Sequence, residues 1–411
     1  MTSGADLPVD LAGIEAARER IAPHVVQTPC PRAPAFRDMV PGSLHLKLEN
    51  LQRTGSFKDR GSLNRLIHLT PEERSRGVVT ASAGNHAQAV AYHARRLGIP
   101  CTVVMPETAP LIKVSNTEGY GARVVQLGEV LDDSAVEARR LVEVEGRVMI
   151  HPFDDPHVIA GQGSMGLEIL EQVPDVGVIV VPVGGGGMIS GIATAVKAKA
   201  PHVRIVGVEA DSAPSARASR DAGRIVKITS SRTLADGIAT KRVGDHTFPI
   251  IEALVDDLVT VSEEEIAHAV LQLLERQKSV VEGAGAVGLA ALLRGAITVG
   301  PDEPIVLVVS GGNIDVNMVS RIIDRGLVAD GRLARLLVKV PDRPGSLAGL
   351  TRMVAELGAN VLETSHRRGF ADISVGDVEI VFTLETRGQT HAQAIVRALE
   401  EREGLVVEEY T

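Results

Sequence analysis

A lysine stands in the polar turn Ser56-Phe57-Lys58-Asp59-Arg60-Gly61, ahead of the helix-like positions Leu63, Leu66 and Ile67. Lysine does covalent chemistry only as a neutral amine, which requires a desolvated or cationic setting. On its own, a Lys-Asp-Arg run reads as a solvated helix face. Three other stretches change that reading. Gly184-Gly185-Gly186-Gly187-Met188 follows the apolar run 176–183 and precedes a helical pattern at 189–200. Bare glycine amides there can converge on a phosphate, and the helix start adds partial positive charge. Consecutive glycines also cost conformational entropy at each position, which speaks against a mere flexible turn. The glycine turn itself reads as neither GxGxxG nor a P-loop, since Ile189 stands at the third glycine position and no Gly-Lys-Ser/Thr follows, so a phosphate-bearing cofactor other than a dinucleotide or ATP fits better. Ser310 follows the apolar run 305–309, at the strand end where ligands bind in open α/β sheets. Its neutral hydroxyl suits a ring nitrogen; a turn serine is the plainer alternative. Asn85, in the turn Ala81-Ser82-Ala83-Gly84-Asn85-His86, can donate to a phenolate oxygen. His86 and His93 lack HExxH spacing, so His86 reads as structural rather than metal-binding.

These residues need elements to hold them. Strand-like runs at 44–48, 78–80, 101–105, 123–127, 176–183, 205–208 and 305–309 alternate with helical patterns. Those helices are expected up to Ile21 from an Asp10 cap, then at 87–97, 113–120, 132–144, 161–171, 189–200, 263–276 and 284–293. Such alternation marks an α/β fold with a parallel sheet covered on both faces. A composition shift at 326–334 (Gly326, Asp330, Gly331) reads as a linker between a domain 1–325 and a second, 335–411. In the latter, strand 336–340 leads to the turn Pro341-Asp342-Arg343-Pro344-Gly345. A helix capped by Ser346 follows, then strands 360–367 and 378–385, helix 391–402 and strand 405–409. The order is βαββαβ, the ferredoxin-like arrangement.

At 411 residues, two or three domains are expected. Forty-three basic against 52 acidic residues give a net charge of −9, and no basic-aromatic block appears, which argues against a nucleic-acid partner. Cys30 and Cys101 form no CxxC, so neither a disulfide framework nor a zinc site is expected. The start has no secretory signal pattern. The best apolar run, 176–183, falls far short of the ~20 residues that cross a bilayer. A reducing cytoplasm is the default.

Lysine, tetraglycine cup, asparagine turn and strand-end serine are together the handles for pyridoxal phosphate. Ser56-Phe57-Lys58, Ser82-Ala83-Gly84-Asn85-His86-Ala87-Gln88, Gly184 to Gly187 and Ser310-Gly311-Gly312-Asn313 resemble the threonine ammonia-lyase (threonine dehydratase) family. That family belongs to the tryptophan-synthase-β-like, fold type II class of pyridoxal-phosphate enzymes, with two open parallel-sheet subdomains. The likeness spans about residues 10–325, and the C-terminal part, with Pro341-Asp342-Arg343-Pro344-Gly345-Ser346-Leu347, resembles an ACT regulatory domain. The resemblance implies that Lys58, flanked by Phe57, carries the Schiff base and then abstracts the Cα proton. Asn85 would bond the ring oxygen, the amides of Gly184 to Met188 the phosphate, and Ser310 the pyridine nitrogen. Ser82, with the backbone of Ala83, Gly84, Asn85 and His86, would take the substrate carboxylate. L-threonine, and L-serine with it, would lose water and ammonia to give 2-oxobutanoate or pyruvate.

Asp342, Gly345, Leu347 and Asn360 resemble a grip for a small amino-acid effector, and a nucleotide effector is equally open. ACT-like domains usually pair, so a homo-oligomer, dimer or tetramer, is expected. Glu209, Ala213 and Ser215 resemble in spacing a cation site of some relatives, though a helix-adjacent turn fits equally well. Asp59 is a departure that also resembles threonine synthase. Ala83 stands where serine racemases have the opposite-face acid/base serine. A β- or γ-replacing enzyme, a racemase and a non-catalytic amino-acid sensor are the alternatives; the lack of a dinucleotide fingerprint at the glycine turn disfavours a nicotinamide dehydrogenase.

Overall fold

The structure, a computed structural model, describes residues 7–229, 232–368, 376–403 and 406–409. The chain divides into two compact units, Met1–Ile314 and Asp315–Thr411.

The larger unit holds two parallel sheets. The first strand, β1 (Ser43–Leu48), joins a five-stranded sheet with β6 (Val178–Pro182), β7 (Arg204–Ala210), β8 (Asp257–Val261) and β9 (Pro304–Val309), in the order β1-β9-β6-β7-β8. Between β1 and β6 the chain leaves to build a smaller sheet from β2 (Val78–Ala81), β3 (Cys101–Met105), β4 (Arg123–Gln126) and β5 (Val148–Met149), in the order β4-β3-β2-β5. Every pairing in both sheets is parallel. β6 and β9 are almost unbroken β-branched runs because helices cover both their faces. Each sheet has its own apolar core, one around Ile179, Val181, Ile192 and Val306 and the other around Val78, Val90, Val103 and Ile150. The helix Gly283–Leu293 is apolar all round and buried.

The smaller unit pairs β10 (Leu333–Pro341), β11 (Asn360–Arg367), β12 (Asp377–Glu385) and β13 (Val406–Glu409) antiparallel, in the order β11-β12-β10-β13. Helices Ser346–Glu356 and Gln389–Glu403 supply the βαββαβ order. Leu336, Val338, Ile380, Phe382, Ile395 and Leu399 form its core.

Three expectations are corrected. Residues 326–334 are not a linker: they hold the end of the helix Val316–Ala329, a turn at 330–332 and the start of β10. Gly326 lowers helix propensity without ending a helix whose Ile322 is buried. The helix start is marked by Asp315, whose carboxylate accepts from the Asn317 amide at 2.9 Å. Ser346 is no cap either; Gly345 is the N-cap, and the Ser346 hydroxyl donates to the Pro341 carbonyl at 2.8 Å. Finally, the helix after β2 begins at Asn85, two residues early, which places Asn85 and His86 in its first turn.

Candidate active site

Four segments, each following the C-terminal end of a parallel strand, line one cavity of about 330 Å³. After β1 come Phe57 and Lys58, and after β2 come Ser82, Ala83, Gly84, Asn85 and His86. β6 is followed by Gly184, Gly185, Gly186, Gly187 and Met188, and β9 by Ser310. Thus β1, β9 and β6, neighbours in one sheet, present lysine, serine and glycines side by side, while the smaller sheet supplies the facing wall.

Lys58 opens the helix Lys58–Ile67; its Nζ donates to the Pro152 carbonyl at 2.7 Å and lies 5.0 Å from the Phe57 ring centre. Desolvation lowers this amine to about 8, against the opposing charge of Glu282. The helix itself is anchored by charge. Asp59 accepts from the Thr54 amide and hydroxyl at 3.1 and 2.7 Å. Arg60, fully buried, donates to Glu49 at 2.8 Å from both Nε and a terminal nitrogen, and to Glu168 at 2.7 and 2.8 Å. Lys47 completes the cluster, 2.6 Å from Glu168. Asp59 is therefore a structural residue of the helix start.

The glycine loop tolerates no side chain. A Cβ on Gly187 would lie 2.8 Å from the Phe153 carbonyl oxygen, and one on Gly184 2.9 Å from the Ile238 Cα. Gly186 has φ +95°, and its Cβ would sit 2.7 Å from Ile251 Cδ1. The Thr247 hydroxyl donates to the Gly185 carbonyl at 2.7 Å, tethering the loop from outside. No side chain caps the helix Gly187–Lys199 that starts here. A bare-amide cradle at an uncapped helix start, with a depressed lysine in the same cavity, fits a phosphate-bearing aldehyde cofactor.

The Ser310 carbonyl accepts from the Phe57 amide at 3.0 Å, which ties the serine segment to the lysine turn. The Ser82 hydroxyl accepts from the Gly84 amide at 3.2 Å. His86 is buried; its Nε2–H donates to the Ile150 carbonyl at 2.9 Å, and burial, helped by the Lys58 charge, holds its pKa down to about 3. It is a neutral, structural histidine.

Sequence reasoning gave no role to Glu282, Asp236, Lys113 or Asn313, the last quoted only within its motif, and all four line the same cavity. Glu282 is buried and accepts from Asn85 Nδ2 at 2.7 Å. Burial first, then the Asp236 charge, raises its carboxyl to about 7 against the Asn85 hydrogen bond and Lys113. One signal was legible: an acid placed immediately before an all-apolar helix. Lys113 and Asp236 pair at 2.8 Å between the smaller-sheet segment and the 236–238 turn.

Glu209, Ala213 and Ser215 lie away from the cavity. Both Glu209 oxygens accept backbone amides, from Ala216 at 2.7 Å and Arg217 at 2.8 Å, as an anchor for the helix Ser215–Asp221. Burial raises this carboxyl to about 7 despite those bonds. Among the described residues, no group of three or more His, Cys, Asp or Glu is arranged to hold a metal. In the smaller unit, Asp342 pairs with Arg368 at 2.7 and 3.1 Å, Gly345 has φ +95° with open space at its Cβ, and Leu347 packs on the core. The Asn360 amide donates to Glu385 at 3.2 Å rather than to the turn.

Residues 21–311 match the model of the pyridoxal-phosphate dependent enzyme family, and 334–404 that of the ACT domain. An L-threonine ammonia-lyase of Thermotoga maritima is 49% identical over 391 residues, covering 95% of this chain and 97% of that one. One of Geobacter sulfurreducens is 49% identical, with 94% and 96% covered. Among solved structures, isoform 2 of threonine deaminase from Solanum lycopersicum, in its processed form, is 36% identical with a TM-score of 0.73, covering 76% of this chain and 86% of that one. Maize serine racemase is 39% identical with a TM-score of 0.73, covering 78% and 99%.

Proposed function

The chain belongs to the pyridoxal-phosphate dependent enzyme family, and on that premise we propose that it is an L-threonine ammonia-lyase. The observation that carries the reading is the shared cavity: an amine depressed to about 8 and a side-chain-free phosphate cradle face it from the segments after β1 and β6, the two strands that flank β9. Pyridoxal phosphate supplies an electron sink for the bonds to the substrate's Cα. The amides of Gly184 to Met188 would hold its phosphate, Lys58 its aldehyde carbon, Asn85 its ring oxygen and Ser310 its ring nitrogen.

The chain's own residues do the rest. Ser82 and the backbone of the 83–86 turn hold the substrate carboxylate at the start of the helix Asn85–Arg96. Lys58, as a neutral amine beside the substrate, would remove the Cα proton. The β-hydroxyl would leave as water, with one proton returned to it for the one Lys58 takes from Cα. The freed enamine then hydrolyses, so L-threonine yields 2-oxobutanoate and ammonia, and L-serine yields pyruvate and ammonia. Ser310 brings no charge to the ring nitrogen, which favours prompt elimination over transamination. Ala83 carries no proton for the second face of Cα, which disfavours racemisation.

We assign the unit beginning near Asp315 a regulatory role, with a small amino acid bound near Asp342, Gly345, Leu347 and Asn360 and the chains paired in a homo-oligomer. We place the reaction in the cytoplasm; no helix among the described residues is long and apolar enough to cross a membrane. Keto-acid release from L-threonine and L-serine, with and without branched-chain amino acids or nucleotides, tests both assignments. A protein that consumes phosphohomoserine but releases no keto acid overturns the reaction; turnover that no effector alters overturns the regulatory role.

A further inference from the structure

We propose that Asn313 is a positioning residue that dictates which way the Asn85 amide faces, with Glu282 as the second stop. The inference rests on the reading that Asn85 bonds the cofactor's ring oxygen. Its starting point is the Thr54 carbonyl, which can only accept. Asn313 Nδ2 donates to it at 2.7 Å, so the NH2 side of Asn313 is fixed. The other Nδ2 hydrogen goes to Asn85 Oδ1 at 2.8 Å, which fixes the oxygen of the second amide. Asn85 Nδ2 is then turned to Glu282, donating to Oε1 at 2.7 Å.

A flipped Asn85 would set its NH2 against the Asn313 NH2 at any pH, and its oxygen against the Glu282 carboxylate once that group is ionised, losing both bonds. One Asn85 hydrogen is used by Glu282, and the other remains for the cavity that Asn85 lines. The side chain is thereby preset as a donor, the polarity an anionic ring oxygen requires. Asn313 is itself wedged: a Cβ on Gly55, where φ is +76°, would lie 2.5 Å from Asn313 Oδ1. The Gly312 amide also donates to the Gly55 carbonyl at 2.9 Å, which clamps the serine-strand loop to the turn before Lys58.

The test is a double-mutant cycle on cofactor-free protein. Binding of pyridoxamine phosphate is measured by equilibrium dialysis; it keeps the ring oxygen and phosphate but has no aldehyde for Lys58 to capture. Asn85→Ala and Asn313→Ala are each expected to weaken binding roughly three- to tenfold, and the double variant no more than the worse single one. Penalties that multiply, or an Asn313→Ala protein that binds normally, overturn the inference while leaving the Asn85 assignment intact. Normal binding by Asn85→Ala overturns that assignment and the inference with it. The thermal midpoint of each cofactor-free variant checks folding. Should Asn313→Ala unfold, Asn313→Ser, which has one donor instead of two, takes its place in the same cycle.

Discussion

The Lys58 amine donates to the Pro152 carbonyl oxygen at 2.7 Å, a bond that links the turn after β1 to the segment following β5. Two parts of the chain 94 residues apart thus meet at the reactive atom. Desolvation of the amine outweighs the Glu282 charge and leaves it at about 8.

Lys58→Ala is expected to abolish keto-acid release and the absorbance band of lysine-bound cofactor. An active, yellow variant would refute the assignment of the lysine.

Because the neutral amine is the nucleophile, capture of added pyridoxal phosphate by cofactor-free protein quickens as pH rises through 8. The neutral fraction increases roughly fivefold from pH 7 to 8 and levels off above about pH 9. Stopped-flow absorbance measures it; a pH-independent rate constant contradicts the depressed amine.

Gly187→Ala puts a Cβ 2.8 Å from the Phe153 carbonyl oxygen, a backbone atom that cannot step aside cheaply. Phosphate and cofactor affinity should fall by about tenfold or more, while Gly98→Ala, with φ +67° but open space around it, should cost stability alone. Equal cofactor affinity in the two variants would argue against the cradle.

Glu282 tests linkage. Its folded carboxyl, at about 7, is raised above the ordinary glutamate value, so its contribution is fully present below pH ~4.5 and lost as pH climbs through 7. In cofactor-free protein, Glu282→Gln should gain stability relative to the parent across that window, on the order of 3 kcal/mol by pH 8. Thermal midpoints that run parallel from pH 4.5 to 8 would exclude a titrating Glu282.

Arg60→Met would leave Glu49 and Glu168 buried without their shared partner, at a cost of about 3–5 kcal/mol. Burial pushes the Glu49 carboxyl up, but Arg60, Lys47 and Thr28 outweigh it and hold it below the usual range. That part of the stability is present above pH ~4.5 and disappears as pH falls through the lowered value. Urea midpoints at pH 7 measure the first effect, and their acid dependence the second. A loss well under 1 kcal/mol would mean that the cluster does not anchor the lysine helix.

Much of this was legible in sequence because each handle sits in a local signature: glycines after an apolar strand, a serine at a strand end, an asparagine in a glycine turn. β3 has the bounds its sequence predicts, since a β-branched run between turn residues has one simple reading. β8 and the helix Thr247–Leu254 were not anticipated, because their apolar content is short and shared between neighbours. The electrostatic partners were hidden for another reason. Asn85 and Glu282 are 197 residues apart, and Arg60 and Glu168 are 108 apart. Local patterning does not register contacts made across such separations, whereas the fold brings them to hydrogen-bond distance.

The two parallel sheets of the larger unit share no hydrogen-bonded strand, and each carries a separate apolar core. Their common border near the cavity is bridged by charged side chains, Lys113 to Asp236 at 2.8 Å and Lys241 to Asp132 at 3.0 Å. Such a seam can part without melting either half, since separation breaks those ion pairs and the few hydrogen bonds that Lys58 and Asn85 make across it, but no ladder of amides. Raised ionic strength should therefore speed the exchange of small molecules while leaving the heat resistance of each half nearly untouched.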